Sequence, residues 1–157
     1  AGGAAPTWRA LGVTGPLSVR TIRLVVHNAE SGTGRYMRSA MLGDEVQFDW
    51  RRVTEVTDPV DPKLGLDTSG ARIAAQVARD PAALGIGDAR AVRGVRVVPV
   101  LSEGVARRPG DAGYKYDRDV MAYSDPKPRQ GAGAFLDWLR SPAARAIIRR
   151  GAYRPLN

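Results

Sequence analysis

The sequence predicts an α/β domain with a mixed or parallel sheet flanked by helices. Short apolar alternations and helical-period stripes succeed one another along the chain, the order from which layered α/β domains are built. Clusters of Gly, Pro, Asp and Ser separate these segments, and none forms a repeat or a low-complexity tract. The length of 157 residues is about one domain, enough to bury a core without staples, and the chain has no cysteine.

Residues 1–6 read as a flexible lead-in, and residues 7–157 as a single domain. Trp8–Leu17 holds two glycines and a Thr-Gly-Pro turn, which predicts loop with one short helical turn. Ile22, Leu24 and Val26 alternate with Arg23, Val25 and His27, a strand pattern. That strand ends at Asn28-Ala29-Glu30-Ser31-Gly32-Thr33. A helix is expected next, with Tyr36, Met37, Ala40 and Met41 as its apolar stripe and Gly43 closing it. Phe48–Val56 has strand-forming residues in an irregular pattern, and Asp58–Pro62 carries two prolines and reads as loop.

A second helix is predicted from Ser69 as N-cap, with Ile73, Ala74 and Val77 on one face and Asp80-Pro81 stopping it. Leu84–Gly87 reads as a short buried strand. Val95–Leu101 reads as a strand interrupted by Pro99, Glu103–Gly113 as polar loop, and Val120–Tyr123 as a further strand. The last third is helical. Phe135, Trp138, Leu139, Ile147 and Ile148 are spaced to face inward, Ser141-Pro142 restarts the helix, and Gly151 is expected to end it in a left-handed cap.

The net charge of +8 comes from 24 basic residues, 21 Arg and 3 Lys, against 16 acidic ones. A polyanion partner, nucleic acid or an anionic surface, is one reading of such a balance. Scatter of the Arg residues along an Ala-, Gly- and Pro-rich chain favours a compositional origin instead. No apolar run reaches the ~20 residues of a membrane span. Ala1–Pro6 lacks the basic and apolar regions of a secretory signal, so export would need a leader upstream.

The candidate site is the Ser31-Gly32-Thr33 turn between strand and helix. The first N–H groups of a helix have no partner in its own ladder, and the macrodipole adds partial positive charge there. Gly32 admits close approach and Ser31 and Thr33 bring hydroxyls, which together suit a tetrahedral oxyanion. Plain capping by Ser31 is the competing reading. His27 at the strand end could add donors, Arg35 on the helix could add charge, and Ser69-Gly70 could present a second helix N-terminus; the alternatives are a half-exposed strand-end residue for His27, solvation for Arg35 and capping for Ser69-Gly70. His27 is the only histidine, which excludes a multi-histidine metal site. Nothing predicts a cofactor or an enzyme. No nucleophile–base arrangement is legible, and Asp117 and Asp119 flanking Arg118 read as an exposed ion-pair cluster.

Thr7-Trp8-Arg9-Ala10-Leu11-Gly12, the strand into Ser31-Gly32-Thr33, Asp80-Pro81-Ala82-Ala83-Leu84-Gly85-Ile86-Gly87, Tyr114–Tyr123, Phe135-Leu136-Asp137-Trp138-Leu139-Arg140-Ser141-Pro142 and Gly151-Ala152-Tyr153-Arg154-Pro155-Leu156 follow one another in order. This order resembles the phosphate-binding proteins of ABC importers, over nearly the whole span from Thr7 to Leu156. The resemblance implies a periplasmic-binding-protein-like lobe. Lobe two would occupy residues of about 20–120 and helices returning to lobe one about 130–157. It further implies a periplasmic or extracellular location, a small oxyanion such as phosphate as ligand and an ABC transporter permease as partner. The family's opening βαβ segment, with its own phosphate loop, would lie outside this chain. Members usually carry Arg four residues and Asp two residues before the Ser of Ser-Gly-Thr, where this sequence has His27 and Ala29. An Arg there clamps an oxyanion bidentately and an Asp accepts from a protonated one. Orthophosphate selectivity therefore does not follow from the resemblance. The alternative function is an Arg-rich interaction protein that binds nucleic acid or another polyanion.

Overall fold

The computed structural model describes residues 6–43, 53–57, 69–127, 129–151 and 153–155. The chain divides into two compact units, residues 1–116 and 117–157. The first unit is α/β, as the alternation of patterns predicts. Its elements are β1 (Arg23–His27), α1 (Gly32–Leu42), β2 (Val53–Val56), α2 (Ser69–Arg79), β3 (Ala83–Ile86), β4 (Val100–Ser102) and β5 (Val105–Arg107).

β1, β2 and β3 form a parallel sheet in the order β2-β1-β3. Leu24 pairs with Val53 on one side and with Leu84 on the other, and His27 lies opposite Val56. The central strand is buried on both faces. Val25 and Val26 are fully buried, as expected of a strand covered above and below. Val25 packs with Val56, Ile73 and Ala83, and Val77 of α2 joins the same cluster. Strand alternation turns Val26 to the other face, and α1, whose Met37 is buried, packs against β1. Because parallel crossovers are right-handed as a rule, connections to opposite sides of β1 put the two helices on opposite faces.

Below the sheet, the lead segment makes a 3-10 turn over Trp8–Leu11. Its Trp8 indole donates to the Ala82 carbonyl at 3.1 Å. Asp80, just past α2, is paired with Arg23 at 3.1 Å and Arg20 at 3.5 Å and accepts from the Ala82 N–H, so it ties three segments at the amino edge of the sheet.

Several sequence expectations change. The buried side of α1 runs through Gly34 and Met37, while Ala40 and Met41 are exposed, because the helix touches the sheet only along its first turns. Among the described residues Ser69 opens α2, and its hydroxyl bonds to a side chain on β1. Val95–Pro99 is not a strand; β4 starts only after Pro99, which cannot donate to a ladder. The expected polar loop contains β5, which closes an antiparallel hairpin with β4 through Glu103-Gly104. Both turn residues have positive φ, 52° and 78°, as a two-residue primed turn requires. Phe48–Arg52 and Asp58–Pro62 lie outside the described residues.

The second unit holds α3 (Gln130–Leu139) and α4 (Pro142–Arg150). Ser141 caps α4 by accepting from the Ala144 N–H at 3.2 Å, with Pro142 at the first helical position. The C-cap Gly151 has φ −75°, not a left-handed one; its N–H reaches back to the Ile147 carbonyl at 3.0 Å. Val120–Tyr123 belongs to no strand, and Val120, Met121 and Tyr123 are exposed. The inward packing expected of this region is made only in part, with Leu139 and Ile148 half-buried. Phe135, Trp138 and Ile147 are exposed, and Phe135 and Trp138 stack on each other with centroids 5.7 Å apart. Among the unit's described residues only Ala144 is buried.

Candidate functional site

Because β1, β2 and β3 run parallel, their carboxyl ends share one edge. Three connections leave from it: residues 28–31 into α1, the segment that enters α2 at Ser69, and Gly87-Asp88 into a 3-10 turn at Ala89–Ala91. The chain leaves β1 toward β2 and returns across it to β3. A reversal of strand order of this kind is where open α/β sheets hold ligands, beyond the carboxyl ends of their strands.

Asn28 organises the entry to α1. Its side-chain oxygen accepts from the Glu30 N–H at 2.8 Å, and its amide donates to the Thr57 hydroxyl at 3.1 Å. Its carbonyl accepts from the Ser31 hydroxyl at 2.7 Å and from the Ser31 N–H at 3.0 Å. Ser31 in turn accepts from the Gly34 N–H at 2.9 Å, so it is the N-cap of α1 and its hydroxyl is engaged as donor and acceptor. Gly34 is required here: a Cβ would collide with the Asn28 carbonyl oxygen. Gly32 is different. It is exposed, and a Cβ built on it meets nothing within 4 Å, so the first turn of α1 is open above this residue. Thr33, beside it, is half-buried.

His27 is not a half-exposed strand-end residue. It is 3% exposed, and its Nδ1 is hydrogen-bonded to Ser69 Oγ at 2.9 Å, with Ser69 4% exposed. The bond ties the start of α2 to the centre of the sheet. A Cβ on Gly87 would lie 3.7 Å from His27 Nε2, so the ring sits beside the end of β3. Gly70 follows Ser69 and packs close to Asp88 and Ala91, with a built Cβ 3.1 Å from the Ala91 methyl.

The charged groups of this edge are paired. Arg35 meets Glu30 at 3.1 Å, both exposed. Asp88 caps the 3-10 turn by accepting from the Arg90 N–H at 2.9 Å, and the Arg90 guanidinium grips both carboxylate oxygens. That hydrogen-bonded guanidinium holds the Asp88 carboxyl below the usual carboxylate range against the opposing effect of burial, and the charge of a protonated His27 works in the same direction.

Ser31, Gly32, Thr33 and Arg35 thus gather at one helix start and His27, Ser69 and Gly70 at the other, on the same sheet edge. Asn28, Thr57, Asp88 and Arg90 belong to the edge but do not stand out as a motif. Their only sequence signal is the short polar residue that precedes a turn, Asn28 two before Glu30 and Asp88 two before Arg90. Among the described residues no three His, Cys, Asp or Glu side chains converge as metal ligands, and no helix is long and apolar enough to cross a membrane. No protein-family model, no curated protein and no solved structure matches the chain significantly.

Proposed function

We propose that the chain is a solute-binding module for a small oxyanion such as phosphate, one periplasmic-binding-protein-like lobe of a two-lobe clamp in an ABC import or sensing system. The observation that carries this reading is the start of two helices, α1 and α2, at the strand-order reversal of one parallel sheet. Helix starts concentrate backbone donors and partial positive charge, which suits a small anion. The order of motifs from Thr7 to Leu156 supports it independently, through resemblance to the phosphate-binding proteins of importers. Under this reading the module works outside the cytoplasm with a permease as partner. It does no covalent chemistry.

The geometry narrows the residue roles. Ser31 builds the corner and His27 stands behind it, while Arg35 shares its charge with Glu30. An anion would be met at the exposed first turn of α1 around Gly32 and at the Gly70 end of α2. A few neutral hydrogen bonds of ~1 kcal/mol each give millimolar affinity for one lobe alone, about −4 kcal/mol.

Gly32→Ala tests this. The added methyl meets no protein atom within 4 Å, so the fold is untouched, but it occupies the open approach to the helix start. An NMR titration with phosphate is expected to shift the amides of residues 31–35 in the parent. Gly32→Ala is expected to weaken that response several-fold while leaving the rest of the spectrum in place. Shifts scattered over Arg side chains and unchanged by the substitution would favour the Arg-rich polyanion binder instead.

A further inference from the structure

We propose that the amino edge of the β2-β1-β3 sheet docks onto an anionic lipid surface: the uncharged loop Leu11–Val19 enters the headgroup layer, and the arginines around Asp80 hold the phosphates. This edge lies at the other end of the strands from the two helix starts. The inference therefore goes beyond the solute-binding reading and does not depend on it.

The fold gathers charges that the sequence scatters. Arg23 opens β1 and Arg20 precedes it, and both are held to Asp80, at 3.1 Å and 3.5 Å. Arg79, in the last turn of α2, directly precedes Asp80. A Cβ built on Gly94 lies 3.9 Å from the Ala78 methyl, which brings Arg93 alongside the same turn. Arg9 adjoins Trp8, whose indole is bonded to Ala82. All five arginines are exposed. Neither residues 6–27 nor α2 contains Asp or Glu, so Asp80 is the one carboxylate that these segments bring, and the surplus is four positive charges. The connection into β2 adds Asp44, Glu45 and Asp49 together with Arg51 and Arg52. The surplus stays positive whichever of them lie at this edge.

No helix starts here. α2 ends at this edge, and its carbonyl end carries partial negative charge, which Arg79 offsets. The donors are thus exposed arginine side chains, a pattern that suits an extended anionic face. The loop decides which one. Leu11–Val19 has no charged residue, and Leu11 and Val19 are 61% and 67% exposed. The Arg9 N–H donates to the Ser18 carbonyl at 2.9 Å and the Trp8 N–H to the Arg20 carbonyl at 3.1 Å, so the loop leaves and rejoins the fold between Arg9 and Arg20. Apolar side chains bracketed by arginine match a bilayer interface, where apolar tips enter the headgroup layer and guanidinium groups stay with the phosphates. A nucleic-acid backbone offers nothing to Leu11 and Val19.

The test is co-sedimentation of the full chain with vesicles of phosphatidylcholine alone and with vesicles about one-third phosphatidylglycerol. Binding is expected on the anionic vesicles, falling as salt rises, and not on the neutral ones. Arg9→Gln with Arg79→Gln is expected to weaken it about tenfold or more, since each arginine at an anionic surface is worth about fivefold in affinity. Arg108→Gln with Arg149→Gln removes the same charge elsewhere and is expected to cost about threefold or less, because distant charges are screened. Leu11→Ser with Val19→Ser is expected to weaken binding several-fold at unchanged net charge. All six positions are exposed, so the circular dichroism of the variants is expected to match the parent's. Absence of binding to the anionic vesicles overturns the proposal. So does an equal loss in the two arginine pairs, which leaves net charge alone as the cause. Binding unchanged by the Leu11 and Val19 substitutions overturns it as well, and equal retention of a DNA duplex by parent and serine variant would then mark the edge as a polyanion-binding surface.

Discussion

At the scale of single residues, the site edge depends on where a side chain is missing as much as on where one is present. Gly34 and Gly32 stand two apart in the same helical turn and have opposite requirements. Any Cβ at Gly34 runs into the Asn28 carbonyl, which also receives the Ser31 hydroxyl. Gly34→Ala is therefore expected to cost about 1–3 kcal/mol by overpacking, despite the better helix propensity of alanine. Chemical denaturation of the two proteins checks this, and a neutral or stabilising result would mean the corner relaxes without loss. The Ser31 cap was legible in the sequence because capping is local: a short polar residue preceding a helical stripe suffices. The role of Ser69 was not. Its hydroxyl meets His27, 42 residues away, and no local pattern distinguishes that use from capping. The burial of His27 was illegible for the same reason, since it follows from neighbours on both sides in the sheet.

At the scale of elements, the strand and helix patterns of β1, α1 and α2 were readable because each has a full period of apolar residues. The β4-β5 hairpin was missed, since Val105–Arg107 is too short to show alternation. Its signal lay in the turn, where Gly104 follows a residue that must also take positive φ. Glu103 is ill suited to that conformation, and asparagine tolerates it better. Glu103→Asn is expected to stabilise the hairpin by about 0.5–1 kcal/mol, part of the 1–2 kcal/mol that the left-handed region costs an ordinary residue. Stronger cross-strand contacts between Leu101 and Ala106, the facing residues of the ladder, are the measurement. The opposite error occurred at Val95–Pro99 and Val120–Tyr123, where strand-forming residues have no strand beside them. β propensity describes a fit to a pleated neighbour and cannot create one.

At the scale of the whole molecule, the two units differ in how much they bury. The first has a sheet with fully buried valines, whereas the second, of about 40 residues, is at the size where one hydrophobic core ceases to sustain a fold. The aromatic spacing of α3 was legible, but spacing states which residues share a face and not whether anything covers it. Full burial would make Trp138→Ala cost about 3 kcal/mol or more. With Trp138 exposed and stacked only on Phe135, the expected cost is no more than about 1.5 kcal/mol, the worth of an aromatic pair. Amide exchange in α3 and α4 is expected to be faster than in β1 under the same conditions, and equal protection would show that the second unit has a buried face after all.

The strand order also sets a timetable. Leu24 meets its partners Val53 and Leu84 only 29 and 60 residues later in the chain, so the most apolar strand of the sheet has no neighbour available nearby. A ribosome adding ~5–20 residues per second leaves β1 without its second neighbour for about 3–12 s, far longer than a hairpin such as β4-β5 needs to close. Until Leu84 arrives, Arg-Leu-Val-Val-His is an open edge on at least one side, and the nascent chain depends on Arg23 and the basic residues before it to keep other strands away.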